Sequence, residues 1–280
     1  MSLNTLMKLN QRSCSISRKA AFLAGLVLSA QGLVAQSVDR EIAILVEGRT
    51  SESSDFDLIL ESVALSFESQ EFLSAVAAGP IGSIAASVIF YNAGNSGEQV
   101  ALDWMNLTTA QELQNFATAI RGLTQPTGGG NVNYATAIST AAASIASSTF
   151  TGTESQITLI DDGTGFFAAN PAATSQASAN ALASGVDVIN AVVFDTAFAS
   201  DRIEAYYQTN VVSSSGGIVT VESPQGGDKS GAELSSIESS IVTAVTSDTI
   251  DSSELAAVPE PSQVLLLAIG MLTVVSRRSR

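Results

Sequence analysis

Between residues 40 and 245, short apolar runs of the buried-strand type alternate with stretches whose apolar residues recur every three or four positions, and few folds accept that order. Arg40 to Glu47 (REIAILVE) is the first such run. Beyond the polar loop at 48–54, Phe56, Ile59, Leu60, Val63, Ala64 and Phe67 mark an amphipathic helix capped by Ser53 or Ser54. Ser83 to Tyr91 is a second strand. After the turn-rich stretch Asn92 to Gly97, Gln99 to Leu107 alternates, with Val100, Leu102 and Trp104 on one face as in a hairpin partner, so Trp104 reads as a packing residue. A helix from Thr109 to Leu123, a glycine-rich loop (QPTGGGNVN) and a helix with Ile138, Ala141, Ala142 and Ile145 on one face come next. Strand Gln156 to Ile160, turn Asp161-Asp162-Gly163, helix Ala172 to Ser184, strand Val186 to Phe194, helix Ser200 to Gln208, strand Gly217 to Glu222 and helix Ala232 to Val245 follow. Right-handed crossovers turn this order into an α/β fold: a doubly wound, mostly parallel six-stranded sheet with one antiparallel edge strand.

Residue usage removes several chemistries. The chain has no histidine and a single cysteine, Cys14, placed before the fold, which excludes Ser-His-Asp and Cys-His catalysis, His-ligated zinc and internal disulfides. Between the basic N-terminal stretch and the arginines at the C-terminus, five basic residues face 26 acids. Such a body repels phosphate backbones, so nucleic acid is not a partner. The glycine run Gly128-Gly129-Gly130 lacks the Lys-Ser/Thr ending of a nucleotide-binding loop and reads as a close helix start. Asp187 and Asp195 flank the fifth strand, where solvation explains them better than paired-carboxylate chemistry.

The two ends read as addresses. Residues 1–36 form an export signal: basic up to Arg18-Lys19, apolar from Ala20 to Ala35, then polar, with cleavage near Gln36 or after Gly32 and an uncleaved anchor as the alternative. Residues 37–247 are the folded domain and 248–257 an Asp/Ser/Ala-rich linker. The tail, 258–280, holds Pro259-Glu260-Pro261, the apolar run Val264 to Val275 and an arginine cluster. Twelve apolar residues reach about 18 Å, against a roughly 30 Å hydrocarbon core, which makes a weak anchor. This order resembles the PEP-CTERM sorting signal of Gram-negative exported proteins. The resemblance implies transient inner-membrane anchoring, processing by an exosortase-type enzyme at Pro259-Glu260-Pro261, and delivery to the cell surface or extracellular matrix.

In a doubly wound sheet the ligand site lies beyond the carboxyl ends of the strands where strand order reverses. Three segments converge there: Glu47 to Ser51, Gly128 to Tyr134, and Asp161-Asp162-Gly163. Element order and these segments together resemble a von Willebrand factor A domain, and Ile203 to Val221 (IEAYYQTNVVSSSGGIVTV) resembles the tail of an A-like exported bacterial family of unknown function. The resemblance implies a metal site built from Asp-x-Ser-x-Ser, a Thr and an Asp. Here the first Asp is Glu47, the first Ser is Arg49, the Thr is Val132, and only Ser51 and Asp162 keep their types. Glu47, Ser51 and Asp162 are the oxygen donors left for Mg²⁺, which wants short oxygen ligands in octahedral geometry, and Asp161 otherwise reads as a turn residue. Arg49, permanently cationic, is placed to stand in for the ion between Glu47 and Asp162, or else points into solvent.

The site is thus expected to be degenerate, with no resident cofactor. The expected function is an exported, non-enzymatic module that binds extracellular protein or polysaccharide without metal. The alternatives are a Mg²⁺-dependent adhesion module with altered ligands and an unrecognised hydrolase. Mass spectrometry of the protein from its host is expected to give a chain starting near Gln36 and lacking the tail arginines; an intact cytoplasmic chain would contradict both address readings.

Overall fold

A computed structural model describes residues 35–48, 53–92, 97–127, 132–163, 165, 169–194, 200–212, 215–222 and 231–246. The expected signal and sorting tail, the 248–257 linker, Arg49, Ser51, the glycine run and Asp195 lie outside them. Strand β1 (Gln36–Glu47) pairs in parallel with β2 (Ile84–Tyr91) on one side and with β4 (Phe150–Asp161) on the other. β5 (Val188–Phe194) and β6 (Val219–Glu222) extend the parallel ladder, and β3 (Gln99–Leu107) closes the opposite edge antiparallel to β2. The order β3-β2-β1-β4-β5-β6 is the six-stranded, doubly wound arrangement the sequence implies.

The helices sort onto two faces by the alternation of the strands. Ile42, Ile44 and Val46 of β1 share a core with α1 (Ser53–Glu68), α2 (Gln70–Ala78), α3 (Ala110–Arg121) and α7 (Gly231–Thr246). Ala43 and Leu45 face α4 (Tyr134–Ala146), α5 (Pro171–Ala183) and α6 (Ser200–Asn210). Phe67 anchors the first core, with its ring 4.7 Å from that of Phe72 and 4.8 Å from that of Phe116. Arg121 ties α3 to α1 through Glu61 and Glu68. Caps fix the helix starts: Thr109 and Glu112 form a reciprocal box before α3, and Asn133 and Asn170 accept from the first turns of α4 and α5.

The elements depart from expectation at four places. β1 and β4 begin earlier, because polar Gln36-Ser37 pairs with Phe150-Thr151 at a half-exposed end that an apolar-run reading does not see. A helix the sequence reading omitted, α2, follows a one-residue break at Ser69, whose hydroxyl caps it by accepting from the Phe72 amide. Gly217 precedes β6 instead of opening it, since a Cβ there would lie 1.9 Å from the Ile189 carbonyl oxygen. The single apolar face expected for β3 is also wrong. Register shifts between Ala86, Val88 and Ile89 insert bulges, so Leu102 packs with the α1 core while Trp104 crosses to the α4 side. The Ser87 hydroxyl donates to the Leu102 carbonyl at the bulge, and Trp104 donates to Ser144 at 3.0 Å, the packing role expected of it.

Among the described residues no helix is long and apolar enough to cross a membrane. Phe67→Ala is expected to cost about 3–5 kcal/mol by urea denaturation, whereas Val100→Ala, at a side chain 47% exposed, should stay within about 0.5 kcal/mol.

Candidate functional site

Strand alternation builds the site. Glu47 ends β1 two residues beyond Leu45, Tyr91 ends β2 beyond Ile89, and Asp161 ends β4 beyond Leu159, so all three side chains leave on the face covered by α4 and α6. Glu47 lies in register with Tyr91, and Val46 with Ile160, which brings Glu47 beside the Asp161-Asp162 pair at the point where strand order reverses. Carboxylate oxygens of Glu47, Asp161 and Asp162 all lie within 4.8 Å of one another, and all three residues are buried.

Tyrosine hydroxyls enclose Asp161. Tyr91 donates to its Oδ2 at 2.5 Å and Tyr134, at the start of α4, donates to the same oxygen at 3.0 Å. The Tyr134 and Tyr207 hydroxyls are 2.7 Å apart, and the Gly163 amide donates to Oδ1 at 2.7 Å. The chain has four tyrosines, and all of them meet here, Tyr206 packing tilted against Tyr134 and edge to face against Tyr207 while its hydroxyl bonds Thr174. Glu47 is more weakly held: Asn92 donates to Oε1 and the Asp162 amide to Oε2, each at 3.4 Å.

Burial, then the charges of Asp161 and Asp162, push the Glu47 carboxyl up to about 11. Burial and then the charge of Asp162 raise Asp161 to about 6, against the pull of the Tyr91 hydroxyl. Burial, with the Asp161 charge, holds Tyr91, Tyr134 and Tyr207 well above the usual phenol range, so they remain neutral donors. Burial and the neighbouring carboxylates thus favour the protonated form of Glu47, so that the cluster carries less charge than its three carboxyls suggest.

Of the sequence-derived site residues, the structure brings Glu47 and Asp162 together. Val132 sits half-buried against Tyr134 and Gly165, where a Cβ on Gly165 would lie 2.6 Å from both side chains; it contributes bulk and no oxygen. Arg49 and Ser51 lie outside the described residues. Asp161 is more than the turn residue expected: it is the last residue of β4, it makes the turn contact to Gly163, and it centres the cluster. Its strand parity with Ile157 and Leu159 was the available signal. Asp187 has a structural role at the far end of the sheet, accepting from the Ser155 amide at 2.7 Å.

Three hard carboxylate donors suit a divalent cation in kind. Asp161 is largely committed, since Oδ2 already accepts two hydroxyls and Oδ1 an amide, so Glu47 and Asp162 would hold such an ion with at most one further lone pair from Asp161.

Residues 37–225 match a family described as protein of unknown function (DUF1194), and residues 257–280 match the PEP-CTERM protein-sorting motif. Among curated proteins none matches the chain in sequence. Solved structures to which it is similar include the pilus adhesin SpaC of Lactobacillus rhamnosus GG (12% identity, TM-score 0.48, 74% of this chain and 30% of that one). A von Willebrand factor type A protein of Catenulispora acidiphila gives 11% identity and a TM-score of 0.44 over 74% of this chain and 43% of that one. The von Willebrand domain of the pili tip protein Mfa5 of Porphyromonas gingivalis gives 10%, 0.42, 73% and 95% for the same quantities. The chain thus spans less than half the length of the first two.

Because the folded protein holds the Glu47 proton that the unfolded chain releases, unfolding free energy should fall as pH rises from about 4.5 toward 11. In chelator, Glu47→Gln should flatten that slope and raise the melting temperature at pH 8, where the parent must keep a costly proton; equal melting of both proteins at pH 8 would contradict the assignment.

Proposed function

The chain belongs to the family of unknown function DUF1194, and from that premise we propose that it is an exported, non-enzymatic binding module that meets extracellular protein or polysaccharide through the segments that follow β1 and β4 and the one that precedes α4. The observation that carries this reading is the closure of the acidic cluster. Glu47 is 1% exposed and Asp161 and Asp162 are fully covered, while a hydrolytic carboxyl must touch its substrate. The cluster serves as a rigid floor beneath the binding segments, with Asp161 locked by tyrosines from β2 and α4. The sorting motif at 257–280 implies an exported protein and an exosortase-type processing partner, with a transient inner-membrane stage before the surface or matrix of a Gram-negative cell.

On this reading the module works without metal, a proton on Glu47 taking the place of the ion. The closeness of the three carboxylates favours a second reading, in which Mg²⁺ or a similar ion, held by Glu47 and Asp162, is needed for binding.

The test is binding of the mature protein to exopolysaccharide and matrix protein purified from its host, with chelator and with Mg²⁺. Retained binding in chelator, lost when residues 128–131 are replaced, supports the leading reading; binding only with Mg²⁺ supports the second. Terbium emission excited through the tyrosines gives an independent readout of ion entry, because Tyr91 and Tyr134 touch Asp161. Ester or glycoside cleavage abolished by Asp161→Asn would overturn both.

A further inference from the structure

The last turn of α7 lands on the half of the sheet farthest from the acidic cluster, and three neighbouring strands reach up to hold it. Gln156 of β4 and Asn190 of β5 donate to the Ala244 carbonyl at 2.8 and 2.5 Å, and the Arg40 guanidinium of β1 donates to the Val245 carbonyl. Arg40 is itself paired with buried Glu154 at 2.6 Å, and Gln156 is steadied by a bond to Thr158. Strand alternation puts these side chains on the face of Ile42, Ile160 and Val192, so that face is apolar toward the cluster and polar where the helix ends. Apolar packing alone would seat a terminal helix. Fixing its final carbonyls with buried donors sets the exit of the chain to the residue, and α7 has no basic residue of its own in its last turn to serve its dipole.

The exit and the site occupy opposite poles. β1 starts at the exit pole, where the Gln36 amide bonds Thr149, and ends at Glu47. From Thr151 to Asp161, β4 spans about 33 Å at the usual strand rise. Beyond Thr246 the chain leads to the sorting motif at 257–280.

We propose that the Arg40–Gln156–Asn190 clamp on the end of α7 fixes the molecule's polarity while its tail is in the membrane, turning the exit pole toward the lipid surface and the Glu47–Asp161–Asp162 pole outward to its ligand. This rests on the membrane-held stage of the proposed function. It supplies what a surface module needs before release: the binding segments are already directed away from the bilayer.

The test uses the chain from Gln36 to Arg280, the form expected once the export signal is removed, inserted by its tail into vesicles of phosphatidylethanolamine and phosphatidylglycerol that carry a nitroxide headgroup lipid. A fluorophore is placed at Thr151→Cys, exposed at the exit pole, or at Thr136→Cys, exposed in the first turn of α4 beside the cluster. Quenching at residue 151 is expected to be at least about threefold that at residue 136, given the strand length between poles. Gln156→Leu should speed amide exchange over residues 242–246 by about tenfold or more and narrow the quenching contrast, while the amides near Glu47 stay protected. Vesicle flotation separates the failures. A chain that does not float overturns the membrane-held stage and this proposal with it, whereas a floating chain quenched equally at both positions, or more at 136, overturns the polarity alone. A Gln156→Leu chain with unchanged exchange and contrast would remove the clamp from the account.

Discussion

The ladder between β1 and β4, running in register from Gln36 opposite Phe150 to Val46 opposite Ile160, is the constraint on which the remaining structure depends. It joins the two halves of the doubly wound sheet, so it sets both the point of strand-order reversal and the face each side chain takes. With β1 as observed, Ile42, Ile44 and Val46 go to the α1 and α7 core while Ala43, Leu45 and Glu47 go to the α4 and α6 side. A slip of one residue would send Glu47 in among Phe56 and Phe90, which pack edge to face, and strand its carboxyl without a polar neighbour. Register is therefore enforced by the apolar set and by Glu47 together.

Along that ladder the polar groups are segregated to the two poles, and the poles solve burial differently. At the exit pole, Arg40 and Glu154 neutralise each other and Arg40, Gln156 and Asn190 each donate to a carbonyl of α7, with Gln156 Oε1 left without a hydrogen-bond partner among the described residues. At the other pole three carboxyls share one small volume, while Arg40 and Arg121 are committed to Glu154 and to Glu61 and Glu68. Among the described residues, neutral hydroxyl donors meet Asp161 there and burial favours a proton on Glu47. Tyr91 and Tyr134 disperse the charge of Asp161 without adding one, and burial beside two further carboxyls pushes Glu47 toward its protonated form.

Much of this was legible from the chain. The strand–helix alternation carries the topology, and the apolar cores of β1, β2 and β5 stand out as runs of branched residues. What escaped did so for physical reasons. The outer halves of β1 and β4 are polar because one end of a central strand is half-exposed, α2 hides behind a one-residue break, and the bulges in β3 reverse a face that strict alternation would keep. At the site, Glu47 and Asp162 were within reach because one ends β1 and the other directly follows β4. Asp161 was masked by the turn chemistry of Asp-Asp-Gly, and the tyrosines are brought together only by tertiary structure, since Tyr91, Tyr134 and Tyr207 come from β2, α4 and α6. Counting period-two steps back from Gly163 places Asp161 on the core face, which a reading by turn type overlooks.

On the proposed reading, a proton on Glu47 in the place of an ion has a consequence for a module that works outside the cell. A divalent ion held by exposed ligands is in equilibrium with its surroundings, so a binding surface built on one is gated by ion supply and by chelating polymers. A proton on a buried carboxyl answers only to pH, and burial pushes Glu47 well above the usual carboxylate range. Such a site loses the ion's power to coordinate a ligand group directly, so affinity must come from the segments around it. The rigid floor then matters more: with Asp161 fixed by two hydroxyls and an amide, the strand ends cannot re-aim when a ligand arrives, and the ordering cost falls on the segments alone. On the proposed reading, replacing a coordinating site with a locked one trades an adjustable contact for a pre-organised platform.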